Sequence, residues 1–222
     1  MRYDIIFISY NEPNADENFA KLKARFPYAQ RVDGVKGIHQ AHIAAARKAF
    51  TKMFWVVDAD AVILDTFNFD HVVSEYDLEN VHVWRSINPV NRLEYGYGGV
   101  KLLPKKLTQN MDTSKPDMTT SISTLFKAMP EVSNITAFNT DPFNSWRSAF
   151  RECCKLASKT IDRQNDDETT DRLDVWCTVG TDQDVLRGAQ EGRSYGLANK
   201  DNPAALKMIN DFDWLQARFD GR

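Results

Sequence analysis

The stretch "MFWVVDADAVIL", residues 53–64, decides how the rest of the chain is read. Its first five residues are apolar without a break, the pattern of a parallel strand covered on both faces. The run then meets two acids, Asp58 and Asp60, placed two apart. Side chains two apart on a strand point the same way, so the spacing predicts two carboxylates converging on one spot. Converging carboxylates call for a cation between them.

Working outward, strands and helices alternate. "DIIFIS" (4–9) reads as a strand closing on the turn-like "YNEPN", and 15–26 carries Phe19, Leu22 and Phe26 at helical spacing. "YAQRV" (28–32) reads as a second strand ending at Asp33-Gly34, and 37–50 as an alanine-rich helix. With 53–57 as the third strand, the order is βαβαβ, which argues for an α/β fold with a parallel sheet. Ligands of such sheets sit beyond the carboxyl ends of the strands, so Ser9 to Glu12, Asp33 and Asp58 to Asp60 are predicted to share a rim.

Past residue 65 the pattern loosens. "NVHVWRSI" (80–87) reads as a fourth strand, and "RLEYGYGGVKLLPKK" (92–106) as a glycine-rich turn followed by a strand. Residues 108–140 show no period and are predicted to be a long connection. An amphipathic helix is expected over 145–163, an acidic exposed turn over 165–171 and a C-terminal helix over 202–219.

Composition narrows the function classes. The chain has 222 residues with 42% hydrophobic content, enough to fill one domain's core, and a net charge of −3, which gives no overall attraction to nucleic acid or membrane. No apolar run is long enough to span a bilayer, and the start of the sequence lacks a small-residue cleavage site. Three cysteines, Cys153, Cys154 and Cys177, form neither a disulfide framework nor a zinc pattern, so a reducing cytoplasm is the expected compartment. His39 and His42, three apart on a predicted helix, lack further ligands at matching spacing and read as ordinary helix residues.

Hard divalent cations such as Mn²⁺ or Mg²⁺ prefer carboxylate oxygens and keep positions open for phosphate. "FWVVDADAVI" after two βα units, preceded by "RVDGVKGIHQAHIAAA", resembles the nucleotide-sugar-binding half of GT-A glycosyltransferases. The resemblance implies a GT-A (nucleotide-diphospho-sugar transferase) fold, Rossmann-like, with a mostly parallel sheet and flanking helices. The chain is expected to form a single domain, 1–105 binding the nucleotide sugar and 106–222 the acceptor. It implies Ser9, Tyr10, Asn11 and Glu12 near base and ribose, Asp33 and Lys36 at the nucleotide, and Asp58 and Asp60 at the metal and diphosphate. "YGYGGVKLLPKK" (95–106) is similar to the aromatic-glycine loop of some galactosyltransferases, which implies Gly98, Gly99 and Lys101 beside the donor and Tyr95 and Tyr97 against a sugar. Many GT-A enzymes take a downstream histidine as a further metal ligand, but no histidine follows His82 here. Asp141 is the candidate in its place, as ligand or as catalytic base, with Asp117 second; helix N-capping by Asp141 is the competing role.

One charge pattern stands apart. Arg147, Arg151, Lys155, Lys159 and Arg163 recur every four residues, and 101–163 holds ten basic against six acidic residues. Such a stripe could follow a phosphate backbone, or be a solvated helix face. "VHVWRSINPVN", "MDTSKPDMTTSIS" and "NITAFNTDPFNSWRSAFRE" look similar to small glycosyltransferases of T-even-type bacteriophages. That resemblance implies transfer of a sugar, with arabinose one option, from a UDP-linked donor to 5-hydroxymethylcytosine in double-stranded DNA. Nucleotidyl or phosphoryl transfer is the rival enzyme class, but the strand-end acids come two βα units too late for a haloacid-dehalogenase nucleophile, and "SYNEPN" is no basic glycine-rich loop. A non-catalytic DNA-binding module is the other alternative.

Overall fold

A computed structural model describes residues 2–160 and 166–221, and the chain divides into two compact units. The first comprises residues 1–88, 94–112 and 122–137, the second 89–93, 113–121 and 138–222.

The first unit is an α/β sheet with flanking helices. It contains β1 (Asp4–Ser9), α1 (Ala15–Arg25), β2 (Gln30–Asp33), α2 (Ile38–Lys48), β3 (Met53–Asp58), β4 (Ala61–Ile63), β5 (Val81–Ile87), β6 (Glu94–Tyr95), β7 (Val100–Pro104), α3 (Lys105–Gln109) and β8 (Phe126–Thr136). The strand order is β2-β1-β3-β7-β5-β8-β4, with β6 on β5. β1 pairs in parallel with β2 and β3, and β5 with β8, whereas β7 runs antiparallel to both its neighbours and β4 antiparallel to β8. The expected α/β class therefore holds, but the parallel order ends at β3. The chain reaches β7 and β4 through short connections that leave no room for crossover helices, so the sheet is mixed.

Register sorts the strand side chains onto two faces. Trp55 lies opposite Ile5 and Leu102, and Leu102 opposite His82, so these share one face with Val57 and Trp84. That face carries the main core, where Trp55 and Trp84 stand 4.5 Å apart and Phe67 and Phe69 meet Trp55 edge-on. Val56, Lys101 and Asp58 lie on the other face.

β8 is an 11-residue strand within the span expected to be an irregular connection. Its residues Phe126, Lys127, Ala128, Glu131 and Pro130 give no apolar alternation because most of that half is exposed, and a register shift near Met129–Val132 interrupts the rest. β4 covers only Asn134–Thr136 of its outer side; no other described strand pairs there.

The second unit is helical: most of α4 (Met118–Ile122), then α5 (Pro142–Ser158), α6 (Asp166–Thr178), α7 (Gln183–Ala198), α8 (Pro203–Lys207), a 3₁₀ turn at Met208–Asn210, and α9 (Phe212–Asp220). The residues 166–171 expected as a turn begin a helix, because Asp166, Asp167 and Glu168 fall in its first turn, where acids favour the exposed N–H groups. The expected helix over 202–219 is broken at Asp211, whose side chain caps α9 through Trp214 N–H. The helix expected to run to 163 ends at Ser158, with Lys159 in a left-handed cap conformation; Arg163 lies outside the described residues. α5 and α7 meet through glycines at every fourth position of α7. A Cβ added at Gly188, Gly192 or Gly196 would stand 2.3, 2.2 or 2.5 Å from the carbonyl oxygen of Trp146, Phe150 or Cys154. Among the described residues, no helix is long and apolar enough to cross a membrane.

Candidate active site

β3 ends at Asp58, and the turn formed by Ala59 and Asp60 carries the chain into β4. The strand alternation predicted to align the two acids therefore stops at the first of them. The turn is fixed by its backbone: Ala59 O accepts from Asn18 Nδ2 at 2.8 Å, and Asp60 O from Ala137 N at 2.7 Å. Asp60 itself is partly exposed.

The Asp58 carboxylate accepts three hydrogen bonds from two residues. Lys101, nearly fully buried on adjacent β7, donates to Oδ1 at 2.9 Å and Oδ2 at 2.7 Å, and Gly99 N–H donates to Oδ2 at 3.1 Å. Asp58 N–H in turn donates to Gly99 O at 2.8 Å. Burial opposes ionisation of Asp58, but the Lys101 ammonium, then His42 and the Gly99 N–H, outweigh it and hold the carboxyl below its ordinary range. The glycines are needed here: Gly98 and Gly99 have φ of +126° and +69°, and a Cβ at Gly99 would lie 2.5 Å from Asn134 Oδ1. Asn134 is anchored by Ser86 and Ser133, whose hydroxyls donate to its Oδ1 at 2.9 and 2.8 Å. Sequence reasoning missed Asn134 and Ser133, which lie on the mostly exposed β8, and Ser86, a lone serine on the apolar β5 that carries no spacing signal.

Behind this pair sits His42 of α2. Its Nδ1 is 2.8 Å from Ile38 O, and since a carbonyl only accepts, Nδ1 carries the proton. Burial, with the Lys101 charge adding to it, pushes its pKa down to about 4, so the ring is neutral at pH 7. His39 is also buried, and both histidines lie within α2.

A second cluster forms where β1 and β2 end. Ser9 Oγ donates to Asp33 Oδ1, and Arg31 joins them, donating to Ser9 Oγ at 2.8 Å, Asp33 Oδ1 at 3.1 Å and Asp16 Oδ1 at 2.6 Å. The Ser9 hydroxyl, followed by Arg31, holds Asp33 below the usual carboxylate range. Arg31 is absent from the sequence-level site because a lone arginine in a short strand carries no spacing signal. Tyr10 N–H donates to Glu12 Oε2 at 2.5 Å, Asn11 takes φ of +63°, and Lys36 is partly buried in the loop before α2. By register Ser9 and Asp33 fall on the core face and Asp58 on the other, so they approach the rim from opposite sides of the sheet. The Tyr95 and Tyr97 rings lie 4.8 Å apart, tilted by 35° to each other.

The remaining sequence candidates lie in the second unit. Asp141 caps α5, accepting from Asn144 N–H at 2.8 Å, with Pro142 in the first turn. Asp117 is buried and accepts from Thr119 Oγ1 and, at 2.9 Å, Thr120 N–H at the start of α4. Of the basic series, Arg147 lies over the Phe143 and Phe212 rings, Arg151 donates to Ile209 O and Asn210 Oδ1, and Lys155 pairs with buried Glu152 at 2.8 Å. Lys159 is exposed and pairs with Asp166. The four-residue period thus places cations on partners within the unit rather than in an open row.

Among the described residues no three His, Cys, Asp or Glu side chains come together to hold a metal. The ion that suits Asp60, with Asp58 already bound to Lys101, is one that takes one or two carboxylates and completes its shell with phosphate oxygens and water, as Mg²⁺ does.

No family model and no curated protein matches the chain. Among solved structures it is similar to S. aureus TarS 1–349, at a TM-score of 0.38 and 8% sequence identity, covering 100% of this chain and 92% of that one.

Proposed function

We propose that this chain is a glycosyltransferase that moves a sugar from a UDP-linked donor to an acceptor hydroxyl. The observation that carries the reading is the composition of the β3 rim: an acidic pair at a strand's carboxyl end, with the backbone of Gly98–Gly99 drawn against Asp58 and a buried cation, Lys101, beneath it. Such a rim suits a diphosphate. Asp60 would hold Mn²⁺ or Mg²⁺ together with the donor's phosphates, and the metal would supply charge neutralisation of the departing diphosphate. Asp58, locked by Lys101 and Gly99 N–H, keeps the glycine loop against the strand end and fixes the turn that presents Asp60. Ser9, Tyr10, Asn11, Glu12, Asp33 and Lys36 form the proposed nucleoside side of the same rim.

For the acceptor, the phage resemblance proposes 5-hydroxymethylcytosine in DNA, and arabinose as one donor sugar. A base within a duplex would have to be flipped out to react. Arg147, Arg151, Lys155 and Lys159 are the proposed DNA contacts, with Lys159 the exposed member.

Thermal unfolding with UDP, UDP-arabinose and UDP-glucose, each with and without Mn²⁺, tests the donor. A ligand at a hundredfold over its Kd adds about 2.7 kcal/mol and should raise Tm by roughly 5–10 °C. A metal-dependent rise with one UDP-sugar, lost in Asp60→Ala, supports the reading; no rise with any nucleotide rejects it. Lys159→Glu should reduce the salt slope of binding to hydroxymethylated DNA by about one. An unchanged slope would turn the search to a carbohydrate or small-molecule acceptor.

A further inference from the structure

His71 and His82 stand together on the core face of the first unit, away from the Asp58–Lys101 pair. His82 lies opposite Leu102 and hence on the Trp55 side of the sheet, whereas Asp58 and Lys101 lie on the reverse. The two imidazole centroids are 5.6 Å apart, with Trp84 5.5 Å from His71 forming a wall beside them.

The ring of His82 has a fixed tautomer. Nδ1 is 3.1 Å from Asn80 O, a group that only accepts, so Nδ1 bears the proton and Nε2 offers its lone pair. His82 is fully buried, and Nε2 has no hydrogen-bond partner. A buried nitrogen lone pair without a donor is unfavourable unless something fills it. An imidazole whose Nδ1–H is tied to a carbonyl and whose Nε2 is bare has the arrangement of a metal-ligating histidine with its outer partner in place. Two imidazole nitrogens, each about 2.1 Å from one tetrahedral ion, set their ring centroids roughly 5–6 Å apart. His71 is only partly buried, which gives an ion a way in.

The charge around His71 is mixed: Lys127 acts on it most strongly and is itself paired with Asp77 at 3.0 Å, while Asp70 and Glu131 add negative charge. Burial holds both rings below the ordinary histidine pKa, so both are neutral at pH 7 and able to ligate.

We propose that His71 and His82 form a two-histidine site for a borderline divalent transition metal, Zn²⁺, Ni²⁺ or Cu²⁺, with water completing the shell. Imidazole selects such ions over Mg²⁺, which keeps this site chemically separate from the carboxylate rim.

The test uses the intact chain, whose four histidines are distinguishable by side-chain ¹H–¹⁵N spectra. Sub-stoichiometric Cu²⁺ should broaden His71 and His82 and leave His39 and His42 sharp, with tenfold excess Mg²⁺ having no effect. His71→Ala, a change at a partly exposed ring, should weaken Zn²⁺ binding by calorimetry at least about tenfold. Broadening at His39 or His42 instead, or Zn²⁺ affinity unchanged in His71→Ala, overturns the proposal. Neither readout depends on sugar transfer, so a failed donor assignment and a failed metal site are told apart.

Discussion

At the scale of single residues, Lys101 and Asp58 behave as one unit. Removing the ammonium leaves a carboxylate that is three-quarters buried with only Gly99 N–H to serve it. Lys101→Met is therefore expected to destabilise the fold by about 3 kcal/mol in urea unfolding, against less than 1 kcal/mol for a substitution at an exposed lysine such as Lys21. His42 sets the acid limit. Its folded pKa, about 4, is below the ordinary 6.5, so the unfolded chain binds more protons between those values. The stability it contributes is complete above pH 6.5 and is lost as pH falls through about 4, roughly 3 kcal/mol in all. Denaturant midpoints measured across that window should fall accordingly, and His42→Gln should flatten the slope whatever its effect at pH 7. Asp141 separates two roles by chemistry. Asp141→Ala removes the cap and should lower stability by about 1 kcal/mol, whereas Asp141→Asn retains it. Turnover lost in the asparagine variant at unchanged Tm would mark Asp141 as a base; turnover kept there would leave it a cap. The sequence made Asp58 and Asp60 visible through an apolar run and a two-residue spacing, but it could not show that Lys101, four strands along in the chain and one strand away in the sheet, would occupy the first carboxylate.

At the scale of elements, legibility followed apolar periodicity. β1, α1, α2, β3 and β5 are read from the sequence within one or two residues of their ends, because each buries a continuous or periodic apolar face. β8 and α7 were invisible for opposite reasons. β8 exposes most of its first half, so its side chains follow solvent rather than the pleat. α7 carries Gly188, Gly192 and Gly196, residues that argue against a helix by intrinsic propensity. In place they are what lets the helix lie against the α5 backbone, and tertiary contact outweighs the propensity penalty. Gly192→Ala should make this plain: its methyl would lie 2.2 Å from Phe150 O, so the helices must separate. A loss of about 2–3 kcal/mol is expected by chemical denaturation, although alanine is the better helix former. A stabilised variant would refute the close packing.

At the scale of the whole molecule, the outer edge of β8 is expected to govern how copies of the chain meet, because β4 pairs only with Asn134–Thr136 of it. Over residues 126–132 its backbone already has strand geometry, and the exposed side chains of Leu125 and Phe126 sit at its start. Such an edge is a template on which another chain can add a strand. Pro130 interrupts it with a position that has no N–H to donate, and Lys127 and Glu131 flank it with charge. Pro130→Val should restore a continuous row of donors and raise light scattering at high protein concentration, while an unchanged signal would assign the guarding role to the charges alone. The strand that lacked any apolar signature is thus the place where a tendency to self-associate is expected to be decided, and the residues that hid it from a sequence reading are the ones expected to keep copies apart.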